Sequence, residues 1–320
     1  MSASLRARLS AACLLGLATA SLPSTASAYC RTVTESLPAS YNPVSRGCYN
    51  AGKFLYWKNP CVSFSINQAG SRYVPYDTAK SIIDQAFARW TGATCADTGA
   101  APGIAASDYG ESVCDEVRYN KNGANQNLIV FRDTTWPYSD PNNTLGLTTV
   151  TFEPSTGEIY DADMELNATQ GNLSTTDAVE PNGFDLASVV THEAGHFFGL
   201  AHAQSPTSTM YASYKPGTTQ LRTLSADDVE GICAIYPSTA TRVVTSPAGA
   251  AQNDAAMTTT IAADQCDYDP RHGFSTACNA PAQDVKTESG CRTAPGAPPD
   301  VLALGACALG LVLVRRRRRA

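Results

Sequence analysis

The run His192-Glu193-Ala194-Gly195-His196-Phe197-Phe198-Gly199-Leu200-Ala201-His202 decides how the rest of this sequence is read. Residues four apart share one face of a helix, so His192 and His196 converge on one point. Glu193 stands beside His192, placed to reach a metal-bound water rather than the metal. A third ligand six residues past His196 cannot lie on the same face of a continuing helix. Gly199 resolves this, because glycine adopts the positive φ that ends a helix and lets the chain turn back. Three imidazoles leave the fourth tetrahedral position open, the arrangement of a catalytic rather than a structural zinc. Three of the chain's four histidines fall within this run, which argues against an accidental pattern on a core helix.

Working outward, Tyr56 to about Pro237 reads as one α/β domain. Val62 to Ile66 alternates apolar and polar, as a half-buried strand does. Tyr76 to Trp90 reads as a helix with Ile82, Ile83, Ala86, Phe87 and Trp90 on one face. Asn127 to Phe131 is a short apolar strand, and Leu147 to Phe152 and Ile159 to Leu166 flank a hairpin turn at Glu153 to Gly157. The second hairpin strand sets Tyr160, Ala162, Met164 and Leu166 on one face, and Asp161, Asp163 and Glu165 on the other. A helix from about Leu186 to Phe198, capped by Asp185, carries the histidines. A last helix, about Ala226 to Ile235, opens at Ser225 with Asp227 and Asp228 favouring its positive end.

The flanks read differently. Arg6 and Arg8, an apolar stretch from Leu9 to Leu22 and Ala26-Ser27-Ala28 give residues 1–28 the form of an export signal. Export predicts disulfides for the scattered cysteines, with Cys266 and Cys278 a candidate pair. Nine cysteines remain outside the signal and the C-terminal apolar run, an odd number, and Cys291 is the one set apart. The net charge of -6 argues against a nucleic-acid partner. The expected organisation is a signal (1–28), a cysteine-containing segment (29–55), a catalytic domain (56–237), a Thr/Ala/Ser-rich linker with a small cysteine-containing segment (238–290) and a tail (291–320). In the tail, Val301 to Val314 is shorter than the roughly twenty residues a membrane-spanning helix needs, and it ends on five arginines.

The histidine run with its glycine turn resembles the metzincin metalloproteases, and within them the matrixins. Met210 lies eight residues after His202, the matrixin separation for the methionine turn. Ala212 stands where the astacin- and serralysin-like branches place a tyrosine ligand. Met210-Tyr211, Tyr214 and the stretch from Leu224 to Ile232, ending at Tyr236, also match the matrixin pattern. The resemblance implies a twisted mixed five-stranded sheet, an active-site helix and a C-terminal helix. It further implies that Met210 packs under the zinc ligands and that Tyr214 helps wall the S1′ pocket. The strand at Gly146, Leu147 and Thr148 would be the edge that pairs with bound peptide. Three features depart from the family: Ala203 replaces a Ser or Thr, Ala212 replaces a proline, and no further histidine in the domain offers a second, structural zinc. Asp161, Asp163 and Glu165 are candidates for calcium, although a solvated strand face is the favoured reading.

The expectation is a secreted or surface-anchored, monomeric zinc endopeptidase acting on protein or peptide. Zinc acidifies a water and polarises the scissile carbonyl, while Glu193 acts as general base and then as acid. The alternatives are a catalytically silent surface protein that keeps the scaffold for adhesion, and a zinc hydrolase of a non-peptide bond. No stretch long enough for a folded propeptide precedes the domain; Cys30 or Cys48 as a latency ligand is less favoured than a disulfide for both. The tail, with Gly290-Cys291, a Pro-rich spacer, an apolar run and arginines, resembles a myxobacterial sorting tail. That resemblance implies surface association, on the outer membrane of a Gram-negative bacterium, with Cys291 as the lipid or anchor position.

Overall fold

The computed structural model describes residues 29–38, 41–238, 242–245, 258–261, 267–278, 286–289 and 292–293. The expected export signal, the apolar run from Val301 and Cys291 lie outside these residues. The chain opens with β1 (Cys30–Arg31) and one helical turn, α1 (Pro43–Arg46), before β2 (Tyr56–Trp57). There follow β3 (Cys61–Asn67), α2 (Tyr76–Thr91), β4 (Ala105–Ser112) and β5 (Leu128–Arg132). The hairpin is β6 (Gly146–Phe152) and β7 (Glu158–Asn167). Short strands β8 (Leu173–Ser174) and β9 (Phe184–Asp185) lead into α3 (Leu186–Phe197). Then come β10 (Leu200–Ala201), β11 (Ser213–Tyr214) and α4 (Ala226–Ile235). Beyond α4 lie the antiparallel pair β12 (Arg242–Thr245) and β13 (Thr258–Ile261), and the segments β14 (Lys286–Ser289) and β15 (Arg292–Thr293).

The main sheet runs β14-β6-β7-β5-β3-β4, with β2 beside β7. Strands β4, β3, β5 and β7 are parallel and β6 is antiparallel to β7. The mixed five-stranded sheet expected from the resemblance is thus β6-β7-β5-β3-β4, extended by β2 and β14. Long β7 serves two parallel neighbours along one edge, β2 at Glu158 and Ile159 and β5 from Met164 to Asn167.

One face of the sheet is apolar and carries the helices. Phe64 of β3 stacks on Phe87 of α2 at 4.2 Å, and Phe87 meets Phe197 and Phe198 edge-on at 5.0 and 5.7 Å. Every residue of α3 is buried, so this helix is a core element rather than an amphipathic surface helix. Trp90 locks α2 to α3 by donating its indole N–H to the Thr191 carbonyl at 2.8 Å. Tyr236, just past α4, donates its hydroxyl to the Phe198 carbonyl and accepts from the Trp57 backbone N–H.

The other face departs from expectation. All of β3 is buried rather than half-buried, and Asp161, Asp163 and Glu165 are 2, 1 and 1% exposed rather than solvated. The reason is a polar roof made by the loop after β4 and by residues 267–278. Ser63 donates to the Tyr268 carbonyl, and a bulge in β7 turns Tyr160 off the apolar face it was expected on, to stack on Tyr119 with the Arg271 guanidinium 3.9 Å over its ring. Buried carboxylates persist only when their charge is met by donors. Asp163 accepts from the Leu128 N–H at 2.8 Å, and Glu165 accepts from the Arg132 guanidinium and the Tyr138 hydroxyl.

Disulfides strap these layers. Cys114 bonds Cys278, which overturns the expected pairing of Cys278 with Cys266 and ties the roof across 164 residues of chain. A sequence-close pair looked natural because cysteine spacing carries no record of which segments fold back. Cys95–Cys233 joins the loop after α2 to α4, and Cys30–Cys48 closes the N-terminal segment as the disulfide reading of both residues requires. Cys61 is disulfide-bonded as well.

Candidate metal centre and cleft

Helix α3 is aimed by its start. The Asp185 carboxylate accepts from the backbone N–H and hydroxyl of Ser188, and Arg222 forks onto both its oxygens at 2.6 and 2.7 Å. Seven residues on, His192 donates from Nδ1 to the Thr209 carbonyl at 2.7 Å, and His196 from Nδ1 to the Leu200 carbonyl at 2.9 Å. A carbonyl can only accept, so both rings carry their proton on Nδ1 and present a lone pair from Nε2.

The two Nε2 atoms are 3.1 Å apart. Two lone pairs at that distance repel, and a cation between them removes the repulsion. The ring centre of His202 lies 5.3 Å from that of His192 and 4.8 Å from that of His196. One ligand atom from each of the three falls within 4.8 Å of the others, a group that could hold a metal ion. Burial pushes the His192 pKa down to about 4 and that of His196 well below its ordinary value. Both are therefore neutral near pH 7, the form a metal ligand must take.

The turn to His202 depends on Gly199, whose φ is +93°. A Cβ there would also lie 2.9 Å from the Leu55 carbonyl oxygen, so both conformation and space call for glycine. Met210 sits beneath the helix: its Sδ lies 2.2 Å from where a Cβ on Gly195 would stand. The methionine turn is held by Ala203 N–H donating to the Met210 carbonyl and by Asp228. That carboxylate accepts from the Ser208 hydroxyl and the N–H groups of Thr209 and Met210, while also completing the capping box of α4 with Ser225.

Glu193 is wholly buried and takes a hydrogen bond from the Thr148 hydroxyl at 2.8 Å on Oε2. A side chain at Gly146 would come within 2.9 Å of Glu193, so the start of β6 can pass the carboxylate only as glycine. Thr148 thus touches the candidate base itself, whereas Leu147 points to the opposite side of β6 by strand alternation. Tyr214 is buried, tilts against Phe184 at 5.9 Å and donates its hydroxyl to the Thr218 carbonyl. Strand β6 thus touches Glu193 directly, and β11 follows the methionine turn whose Thr209 carbonyl holds His192.

Three contributors escape a sequence reading. The Thr209 and Leu200 carbonyls that fix the imidazoles are backbone groups and carry no side-chain signal. Asp228 is legible as a first-turn acid of α4, but its hold on the methionine turn needs the two segments side by side.

A mixed sheet, a buried His-Glu-His helix, a glycine turn to a third histidine and a methionine beneath them define a metzincin-type centre. Residues 116–237 match the family described as matrixin, so the chain carries a matrixin-like metzincin domain. The chain is 37% identical to human matrix metalloproteinase-20 over 101 residues, which is 32% of this chain and 19% of that protein. It is 29% identical over 183 residues to metalloendoproteinase 1 of Glycine max, covering 53% of this chain and 52% of that one. It is 35% identical over 101 residues to rat matrilysin, covering 32% and 34%. The chain therefore spans about half or less of the length of these relatives.

Proposed function

We propose that this chain is a secreted zinc endopeptidase in which His192, His196 and His202 hold the ion and Glu193 is the general base. The observation that carries the reading is the convergence of two carbonyl-oriented Nε2 atoms at 3.1 Å, beside a buried glutamate on the next helical position. Zinc held there would polarise a scissile carbonyl and lower the pKa of the attacking water. Glu193 takes the water's proton and passes it to the leaving amine nitrogen. Thr148 keeps the carboxylate turned into the cleft. Strand β6, expected as an edge but paired with β14, would hold the substrate backbone by strand addition in place of β14, with Tyr214 in the wall of the side-chain pocket. A buried, hydrogen-bonded glutamate beside the histidines favours this over a silent adhesion scaffold, which has no use for a positioned base.

The signal at 1–28, the domain limits at 56 and 237, a monomeric state and surface association through the tail belong to the same proposal. The disulfides support an oxidising, extracellular setting. Calcium at Asp161, Asp163 and Glu165 would have to displace or share donors already placed on Asp163 and Glu165. The decisive test is cleavage of a quenched fluorescent peptide by the zinc-loaded chain beside Glu193→Ala. Removing the base should lower kcat/KM by about 10²- to 10⁴-fold with zinc content unchanged. Undiminished cleavage by that variant would refute the assignment.

A further inference from the structure

Strands β6 and β11 are both paired by later segments of the same chain. β14 pairs antiparallel with β6, setting Lys286 opposite Thr151, Thr287 opposite Val150, Glu288 opposite Thr149 and Ser289 opposite Thr148. β15 then pairs parallel with β11, setting Arg292 opposite Ser213 and Thr293 opposite Tyr214. Ser289 and Arg292 are three Cα steps apart, at most about 11 Å, so the two pairings lie close together. One pairing is with the strand whose Thr148 bonds Glu193, the other with the strand that contains Tyr214.

Without β14, strand β6 would be the edge of the sheet, with a row of unpaired backbone groups open to strand addition. Glu193 and Thr148 instead have no exposed surface. A base that must meet a water and a peptide cannot work from a sealed position.

We propose that Lys286–Ser289 and Arg292–Thr293 are built-in occupants of the two strands that would hold a peptide, that they keep the full chain latent, and that their release opens the site. This rests on the endopeptidase reading for the consequence, but not for the pairing itself. An extended segment held in cis works at a high effective concentration, so free peptide competes poorly until the segment leaves.

The test uses the full chain with Thr287→Pro and Glu288→Pro together. Proline removes the N–H that a ladder needs, and two successive prolines cover whichever of the two faces β6. Both positions follow Cys278, outside the loops closed by the three disulfides described. The matched Thr287→Ala, Glu288→Ala chain keeps its N–H groups and should behave as the parent. Hydrogen exchange of the alternate amides within Leu147–Thr151 that face β14 should be slow in the parent and fast in the proline variant, while peptide cleavage rises about tenfold or more with release of the tethered strand. Fast exchange of those amides in the parent overturns the occupancy, whatever the activity. Lost protection with cleavage that is measurable but no better than the parent's overturns the latency. Lost protection in a variant that cleaves nothing while binding zinc overturns the endopeptidase reading instead.

Discussion

The two faces of the sheet are held by different physics. On the helix side, Phe64, Phe87, Phe197 and Phe198 interlock and exclude water, and that apolar packing is what fixes α3 and its histidines. On the roof side, Asp163, Glu165, Arg132, Ser63 and Asn127 are buried as a polar network strapped by Cys114–Cys278. An apolar face gathers its cover through non-directional burial. A polar face needs each donor matched and a covalent tie to hold the cover in place. The difference teaches that the site should be sensitive to core volume and tolerant of loosening in the roof.

The largest break comes from the helix side. Phe87→Ala should cost about 3–5 kcal/mol, through lost burial and the cavity left among three aromatic neighbours. A chemical denaturation midpoint close to wild type would show that the stack is not the keystone. On the roof side, Cys114→Ala with Cys278→Ala should cost about 2–5 kcal/mol. Its loss should appear first as rapid proteolysis near residues 115–126 and 267–278, with zinc affinity retained. Zinc loss in parallel with roof cleavage would erase the distinction between the faces.

Smaller changes sharpen it at the site. Gly199→Ala forces a β-carbon into a positive φ and against the Leu55 carbonyl, so about 1–3 kcal/mol should be lost. Weaker zinc binding in a titration should accompany it, because the turn delivers His202. Thr148→Val removes one hydrogen bond to Glu193 and should lower kcat/KM by roughly three- to tenfold, about 1 kcal/mol, with stability and zinc content unchanged. A wild-type rate in that variant would reduce Thr148 to packing.

How much of this was legible varies by element. α4 was read to the residue, because Ser225 and Asp228 form a local capping box that needs no distant partner. α3 was placed within a residue by Asp185 and Gly199, and the same spacing brought His192, His196 and His202 together. The face of β7 was misread, because period-two alternation reports that two faces differ and not what lies over each. The pairing of Cys278 was misread for a related reason: which loops meet is a property of the folded chain.

The spacing alone carried the candidate metal ligands, the candidate base and the helices that hold them. Those are written in short-range spacings that the helix period and a positive-φ glycine enforce locally. Only the tertiary structure decided that acids on β7 are buried and matched, that Asp228 braces the methionine turn and that Thr148 touches Glu193. The tertiary structure also paired Lys286–Ser289 with β6 and Arg292–Thr293 with β11. Each of these joins residues far apart in the chain, where backbone pairing and burial act and no local pattern records the partner.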